Sequence, residues 1–211
     1  LGGKPLLQYT AESALESTLL SKIVLSTDSE EISNIGKRIG LEVPFIRPEN
    51  LALDTTPTLD VLKHAILFYE KQEEYFDAIC ILQPTTPFRK KNSIDLAIQE
   101  FVNTKADTLI SVLEVPHQYN PHWVFEKKEA FLKIATGDET IISRRQELPK
   151  SFYRDGAIYI IKRDQIMNNN SLFGKSIAYV ESATYFSVNI DTLEDWEKAE
   201  NWLLKKDSSN D

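Results

Sequence analysis

The sequence is short of the residues that staple or anchor a chain. It has one cysteine, Cys80, so no disulfide can form within it, and a disulfide-stapled secreted scaffold is excluded. Cys80 lies in an apolar run and reads as a small buried hydrophobe in a reduced cytoplasm. No apolar run approaches the ~18 residues of a membrane span, and no secretory signal opens the chain. Positive charge is scarce as well: 24 Lys and Arg stand against 32 Asp and Glu, a formal net charge of −8. That balance argues against nucleic acid and against an anionic membrane as partners. Any anionic ligand must be met by a local basic cluster or by a metal. There is no Walker A loop and no G-x-S-x-G nucleophile elbow. His64 lies inside a predicted helix, and His117 and His122 lack the further Cys or His partners that a zinc site would need.

What is present fits one compact domain over 1–211, 42% hydrophobic and 27% charged. Helical spacing runs from Pro5 to Leu20, and Ile23-Val24-Leu25 is a short apolar strand. Thr27 and Glu30 form a capping box for a helix to about Ile39. Val43 to Ile46 reads as a second short strand. Thr56-Pro57 opens a helix to about Lys71, and Asp77 to Leu82 is a strand. Helix 92–104 and strand 108–112 follow. From Glu114 to Lys150 short β-like pieces, such as 122–125 and 130–134, sit among Pro, Asn, Gly and charge, as an excursion from the main sheet. Strands at 156–161 and 178–180 return to it, and Thr192 with Asp195 caps a last helix to about Leu204. Strands alternating with helices predict a three-layer α/β/α fold with a mostly parallel sheet. Leu1-Gly2-Gly3-Lys4-Pro5 enters its helix with no strand before it, so a further N-terminal strand and loop are expected.

The most informative stretch is Ile81-Leu82-Gln83-Pro84-Thr85-Thr86-Pro87-Phe88-Arg89. An apolar strand empties into a loop stiffened by two prolines and furnished with an amide and two hydroxyls. In open α/β sheets ligands bind at the carboxyl ends of the strands. Arg47 and Arg89 each follow a predicted strand, and Arg144, Arg145 and Arg154 lie near the entry of another; arginine forks suit phosphates and carboxylates. Ser187, Asn189 and Asp191 alternate onto one side of an extended segment. Oxygen ligands so spaced suit Mg²⁺, while Asp191 serves equally well as a cap for the helix that follows. Gly2-Gly3-Lys4-Pro5 reads as a turn before a helix or as the end of a phosphate loop.

Taken in order, these pieces resemble the acylneuraminate cytidylyltransferases. The resemblance is carried by Gly3-Lys4-Pro5-Leu6, Ser26-Thr27-Asp28-Ser29-Glu30-Glu31-Ile32, Val43-Pro44-Phe45-Ile46-Arg47-Pro48 and Leu82-Gln83-Pro84-Thr85-Thr86-Pro87-Phe88-Arg89. It continues in Arg145-Gln146-Glu147-Leu148-Pro149, Gly156-Ala157-Ile158-Tyr159-Ile160 and Asn189-Ile190-Asp191-Thr192. It implies a Rossmann-like nucleotidyltransferase that joins CTP to a nine-carbon 2-keto sugar acid and releases pyrophosphate, with Mg²⁺ as cofactor. It implies nucleotide contacts from Lys4, Arg47, Thr58 and Gln83, and sugar contacts from Thr86, Arg145 and Tyr153. It assigns catalytic roles to Arg145, Arg154 and Asp191, with Asp191 and Asn189 on the metal. The 114–150 excursion resembles the family's dimerisation element, so a cytoplasmic homodimer is expected.

Three departures from the family pattern qualify these expectations. The family's Gly-rich nucleotide loop belongs before Leu1, and a chain physically lacking it would be inactive or nearly so. Asn189 stands where the family carries a carboxylate, which favours one Mg²⁺ over two. Tyr153 occupies the place of a frequent family arginine, with Arg154 one position later. Alternatives within the resemblance are CMP-sugar synthetases for legionaminic, pseudaminic or 3-deoxy-manno-octulosonic acid. Outside catalysis, the alternative is a nucleotide-sugar-binding dimer.

Overall fold

The computed structural model describes residues 1–183 and 188–207. Helices α1 (Leu6–Leu15), α2 (Glu30–Ile39) and α3 (Thr58–Glu70) precede β1 (Ala78–Ile81), α4 (Ser93–Thr104) and β2 (Thr108–Glu114). A hairpin of β3 (Phe125–Lys128) and β4 (Phe131–Ile134) follows, then β5 (Phe152–Lys162), α5 (Arg163–Met167), β6 (Ile177–Glu181) and α6 (Leu193–Asp207).

The central sheet has the order β1-β5-β2-β6. β2 and β6 are parallel, and β5 is antiparallel to both β1 and β2. Three of the four strands therefore point one way, with β5 reversed between two of them. The strands expected near Ile23–Leu25 and Val43–Ile46 contribute one parallel bridge, Val24 to Glu42.

The layers follow from side-chain alternation along the strands. Ala78, Cys80 and Leu82 of the first strand region, Leu109 of β2, and Ile158 and Ile160 of β5 pack against Ile94, Ala97 and Phe101 of α4. Ile79, Ile81, Tyr159 and Ile161 face the other way, onto Leu59, Leu62 and Ile66 of α3 and Ile166 of α5. A third apolar cluster joins Leu1, Leu6 and Tyr9 to Phe88 and to Ala199, Trp196 and Trp202 of α6. The α/β/α sandwich is thus a consequence of strands that are apolar on both faces. Burial pushes the Cys80 thiol up to about 12, so it is an inert part of this interior.

Several element ends differ from the sequence reading, each for a local reason. The first helix stops at Leu15 rather than Leu20, because Ser17 and Thr18 turn aside to Asp95: the Thr18 N–H and hydroxyl donate to its carboxylate at 3.0 and 2.7 Å. Ser29, not Thr27, caps α2, accepting from Ile32 N at 3.3 Å. Pro57 itself occupies the cap position of α3. The predicted Thr192–Asp195 box does form: Asp195 N donates to Thr192 Oγ1 at 3.2 Å and Thr192 N to Asp195 Oδ2 at 3.1 Å. A turn at 121–123 precedes the β3–β4 hairpin, so the first β-piece of the excursion begins at Phe125. The short α5 has no counterpart in the sequence reading.

Arg89 ties the sheet to its ligand loop. Its Nη2 donates to Gln83 O at 2.8 Å and to Ala157 O at 2.9 Å, and its Nη1 donates to Thr10 Oγ1 at 2.8 Å. Its Nε donates to Ala157 O at 3.1 Å. One guanidinium so joins the β1–α4 loop, the middle of β5 and α1. Desolvation lowers its pKa to about 10, which leaves it charged at neutral pH. Replacing Arg89 by Met should strand two carbonyls that the interior keeps from water, at about 1–3 kcal/mol each. We expect about 3 kcal/mol of lost stability, read from urea midpoints at constant m; a loss under ~1 kcal/mol would remove Arg89 from this role.

Candidate active site

The loop after β1 lies at the carboxyl end of that strand, and it is built on Gly156. Gly156 has φ +84°, in the left-handed region. A Cβ there would stand 3.3 Å from both Gln83 Oε1 and Thr86 Oγ1. The absence of a side chain lets β5 bring its backbone against these two groups.

The backbone around Gly156 is bulged. A step of two residues along β2, Ile110 to Val112, faces five along β5, Tyr159 to Arg154. The Ser111 hydroxyl fills the gap, donating to Asp155 Oδ1 and accepting from Ile158 N at 2.8 Å. Asp155 Oδ1 also accepts from Ala157 N at 3.0 Å. The bulge is therefore a fixed feature, closed by side chains from both strands.

The segment before α6 docks onto the same loop. Ile190 N donates to Thr85 O at 2.8 Å. Thr86, buried, donates through Oγ1 to Asn189 Oδ1 at 3.4 Å. The Asn189 amide in turn donates to Asp191 Oδ2. Asn189 and Asp191 thus share a side of the segment, as the alternation predicts, while Ser187 lies outside the described residues. Thr192, not Asp191, caps α6, so the Asp191 carboxylate is left for other work. Gln83, Thr86, Asn189 and Asp191 form one constellation around Gly156.

Arg47 follows the Val24–Glu42 bridge in the chain. Its Nη2 donates to Asp28 Oδ1 at 2.9 Å and its backbone N to Thr27 O at 2.8 Å. This hydrogen bond holds the Asp28 carboxyl below its ordinary pKa. Arg47 Nε, Ser26 Oγ and His64 Nδ1 are sealed from solvent without a partner. Thr58 is exposed at the first turn of α3.

The other predicted residues sit apart from these two groups. The Lys4 ammonium is paired with Glu12 at 2.9 Å and lies over the Tyr9 ring. Tyr153 and Arg154 are exposed on the first part of β5, opposite Leu113 and Val112. Arg145 opens a 3-10 turn and lines a cleft of about 320 Å³ with Glu114, His117, Asn120 and Lys150, in the excursion. Arg144 is paired with Glu147. No described contact joins any of these to the Gln83–Asp191 constellation. Arg89, a ligand candidate by sequence, is spent on carbonyls of the fold.

Sequence reasoning passed over Asp155. The signal was an Asp-Gly pair inside an apolar β run, which marks a bulge or close backbone approach. A second cleft, of about 420 Å³, opens beside this bulge between the β1–α4 loop, α4 and the end of β6.

A metal would find the Asp191 carboxylate here, whose Oδ1 meets no donor among the described residues; the Asn189 amide turns its N–H to Asp191 Oδ2 and its oxygen to Thr86. Among the described residues no group of three or more His, Cys, Asp or Glu could hold a metal. A single carboxylate suits Mg²⁺, which takes one or two carboxylates and completes its shell with water and substrate phosphates.

An α/β/α sandwich with a ligand loop at the carboxyl end of its first strand is a Rossmann-like fold. The chain shares this fold with CMP:2-keto-3-deoxy-manno-octonic acid synthetase complexed with CTP (TM-score 0.68, 16% identity, 97% of this chain and 89% of that one). It also shares it with 4-diphosphocytidyl-2C-methyl-D-erythritol synthase from Anaerococcus prevotii (TM-score 0.66, 12% identity, 97% and 91%). The chain belongs to the cytidylyltransferase family, whose model matches residues 1–208. It is 30% identical over 207 residues to CMP-N,N'-diacetyllegionaminic acid synthase of Legionella pneumophila, covering 93% of this chain and 84% of that protein. It is 34% identical over 191 residues to post-translational flagellin modification protein B of Campylobacter coli, covering 87% and 78%. N-acylneuraminate cytidylyltransferase of Escherichia coli is 28% identical over 197 residues, covering 93% of this chain and 45% of that one.

His64 offers a pH test of the Arg47 region. Burial first, then the charges of Lys71 and Arg47, push its imidazole below the ordinary value. The unfolded chain takes up this proton near pH ~6.5, where the folded chain still refuses it. Stability should therefore fall as the pH drops below ~6.5, by at most ~1.4 kcal/mol per pH unit. His64→Leu should flatten that part of the profile; urea midpoints at pH 7.5 and 5.5 with equal drops in both proteins would contradict it.

Proposed function

We propose that this cytidylyltransferase joins CTP to a nine-carbon 2-keto sugar acid, giving the CMP-sugar and pyrophosphate, as a cytoplasmic homodimer. The observation that carries the reading is the constellation of Gln83, Thr86, Asn189 and Asp191 around Gly156. It puts an amide, a hydroxyl and a carboxylate within one rigid frame. The names of the relatives, which act on legionaminic and neuraminic acids, support an acceptor of this class.

The chemistry is displacement at phosphorus. The anomeric hydroxyl of the acid forms a bond to the α-phosphorus, the bond to the pyrophosphate oxygen breaks, and the hydroxyl proton is lost to solvent. Positioning and charge neutralisation dominate such a transfer. Gln83 and Arg47, each in the loop after a strand region, orient the nucleotide. Thr86 shapes the acceptor side. Asp191 and Asn189 would hold Mg²⁺, which when bound neutralises phosphate charge.

The excursion supplies the dimer in this reading. Phe131 is 74% exposed and Leu132 67%, and Phe125, Ile141 and Tyr119 are also bared to solvent. Apolar side chains clustered on a small hairpin mark an interface. Arg145 belongs to the same excursion, and in the dimer it would act on the partner's site rather than on the constellation of its own chain.

Four results test the proposal. Pyrophosphate should be released from CTP and Mg²⁺ with N-acetylneuraminic, N,N'-diacetyllegionaminic or pseudaminic acid; a folded protein inactive with all of them refutes it. Asp191→Ala should lower turnover by at least a hundredfold with an unchanged circular dichroism spectrum, and activity within a few-fold of wild type would sink the metal role. Gln83→Ala should chiefly raise KM for CTP. Phe131→Glu with Leu132→Glu should convert dimer to monomer in light scattering; a monomeric wild type would refute the dimer.

A further inference from the structure

The cleft of about 420 Å³ has one wall group that the proposed reaction leaves unused. Asp155 is 8% exposed, so its carboxylate is largely removed from bulk water. Its Oδ1 is occupied by the Ser111 hydroxyl and by Ala157 N. Its Oδ2 meets no donor among the described residues. Nor is Oδ2 sealed away in the manner of Ser26 Oγ, Arg47 Nε and His64 Nδ1. Since Asp155 lines the cleft, the cleft is the space into which this oxygen opens. A carboxylate oxygen withdrawn from water and given no donor is costly. The two bonds on Oδ1 stop the group from rotating outward to regain solvent.

The surroundings define what would satisfy it. Thr86 shares the cleft and links it to the Asn189–Asp191 pair. Arg89 also lines it, but its donors are taken by Gln83, Ala157 and Thr10. Lys90 stands at the same rim, exposed, with no ion pair among the described residues. Glu100 and Glu181 complete the charged lining. A fixed acceptor on one side and a free ammonium on the other suit a molecule that bears both hydroxyl or amide donors and a carboxylate.

We propose that Asp155 Oδ2 is the acceptor that takes a hydroxyl or amide N–H of the sugar acid, which makes Asp155 a specificity-determining residue of the acceptor cleft. The proposal rests on the reading of a sugar acid as second substrate. A charged acceptor repels the acid's own carboxylate, so it orients the molecule with that group toward Lys90. It also discriminates, because a site built to receive a hydroxyl rejects an analogue lacking it.

The test is calorimetric titration of N-acetylneuraminic, N,N'-diacetyllegionaminic and pseudaminic acids into the CMP-loaded protein, wild type and Asp155→Asn. Asparagine keeps an oxygen for Ser111 and Ala157 but presents an amide to the cleft. We expect at least a tenfold loss of affinity for the acid, with CMP affinity within twofold and the urea midpoint retained. Unchanged acid affinity overturns the proposal, as does a parallel loss for acid and CMP with a lowered midpoint, which is what a merely structural Asx turn predicts. Deoxy analogues on the wild type provide a readout that does not depend on the variant's stability. One deoxy position should cost about tenfold, and if none does the proposal fails. Where Asp155→Asn folds, that position should cost nothing further in it. Acid binding that depends on Asp155 without pyrophosphate release would refute the catalytic reading and leave this one standing; no acid binding by the wild type would overturn this one.

Discussion

The site depends on a cation whose donors are taken up inside the fold. Arg89 directs its donors at two carbonyls and a hydroxyl. The peptide at Ala157 is held at both ends, its C=O by Arg89 and its N–H by Asp155. That pinning holds the bulge of β5 where Gly156 can bear on Gln83 and Thr86. Burying a guanidinium costs several kcal/mol unless its hydrogen bonds are met. Here they are met by neutral oxygens, with the Asp155 charge nearby. The arrangement makes the loop conformation conditional on the sheet, so the ligand groups are ordered before any ligand arrives. Such preorganisation reduces the entropy that binding must otherwise supply.

The same economy of parts joins the two halves of the constellation. The loop after β1 and the segment before α6 are more than a hundred residues apart in sequence, yet a backbone bond from Ile190 to Thr85 and the Thr86–Asn189 contact make them one piece. Arg47 stands on a separate support, the bridge between Val24 and Glu42, and its Asp28 partner is exposed. The excursion is a third support, with its own hairpin and its own arginine cleft.

Much of this was legible in the residues, and the failures have physical causes. The Gln83–Arg89 loop could be found because an apolar run that ends in Gln, Pro and Thr has few structural uses. The Thr192–Asp195 box could be found because capping is local. The reversed direction of β5 could not, since alternation is the same read either way. Nor could the role of Arg89, because a side chain's type does not say whether its donors face carbonyls or phosphates. The early end of α1 was set by Asp95, far along the chain, against local helical spacing. Asp155 escaped notice because its bulge partner Ser111 lies on another strand.

The strand order has a consequence for how the chain is made. β1 and β2 do not touch; each meets the other only through β5. During vectorial synthesis β1 must leave the ribosome and wait for everything from Leu82 to Ser151 before its neighbour appears. At about 5–20 residues per second that interval lasts about 4–14 s. For that time Ala78–Ile81 has α3 and α4 to cover it but no sheet partner among the described residues, and Thr108–Leu113 shares the wait once it is made. The bulged strand joins the two when it arrives, and β6 and the segment that docks on the ligand loop can only follow it.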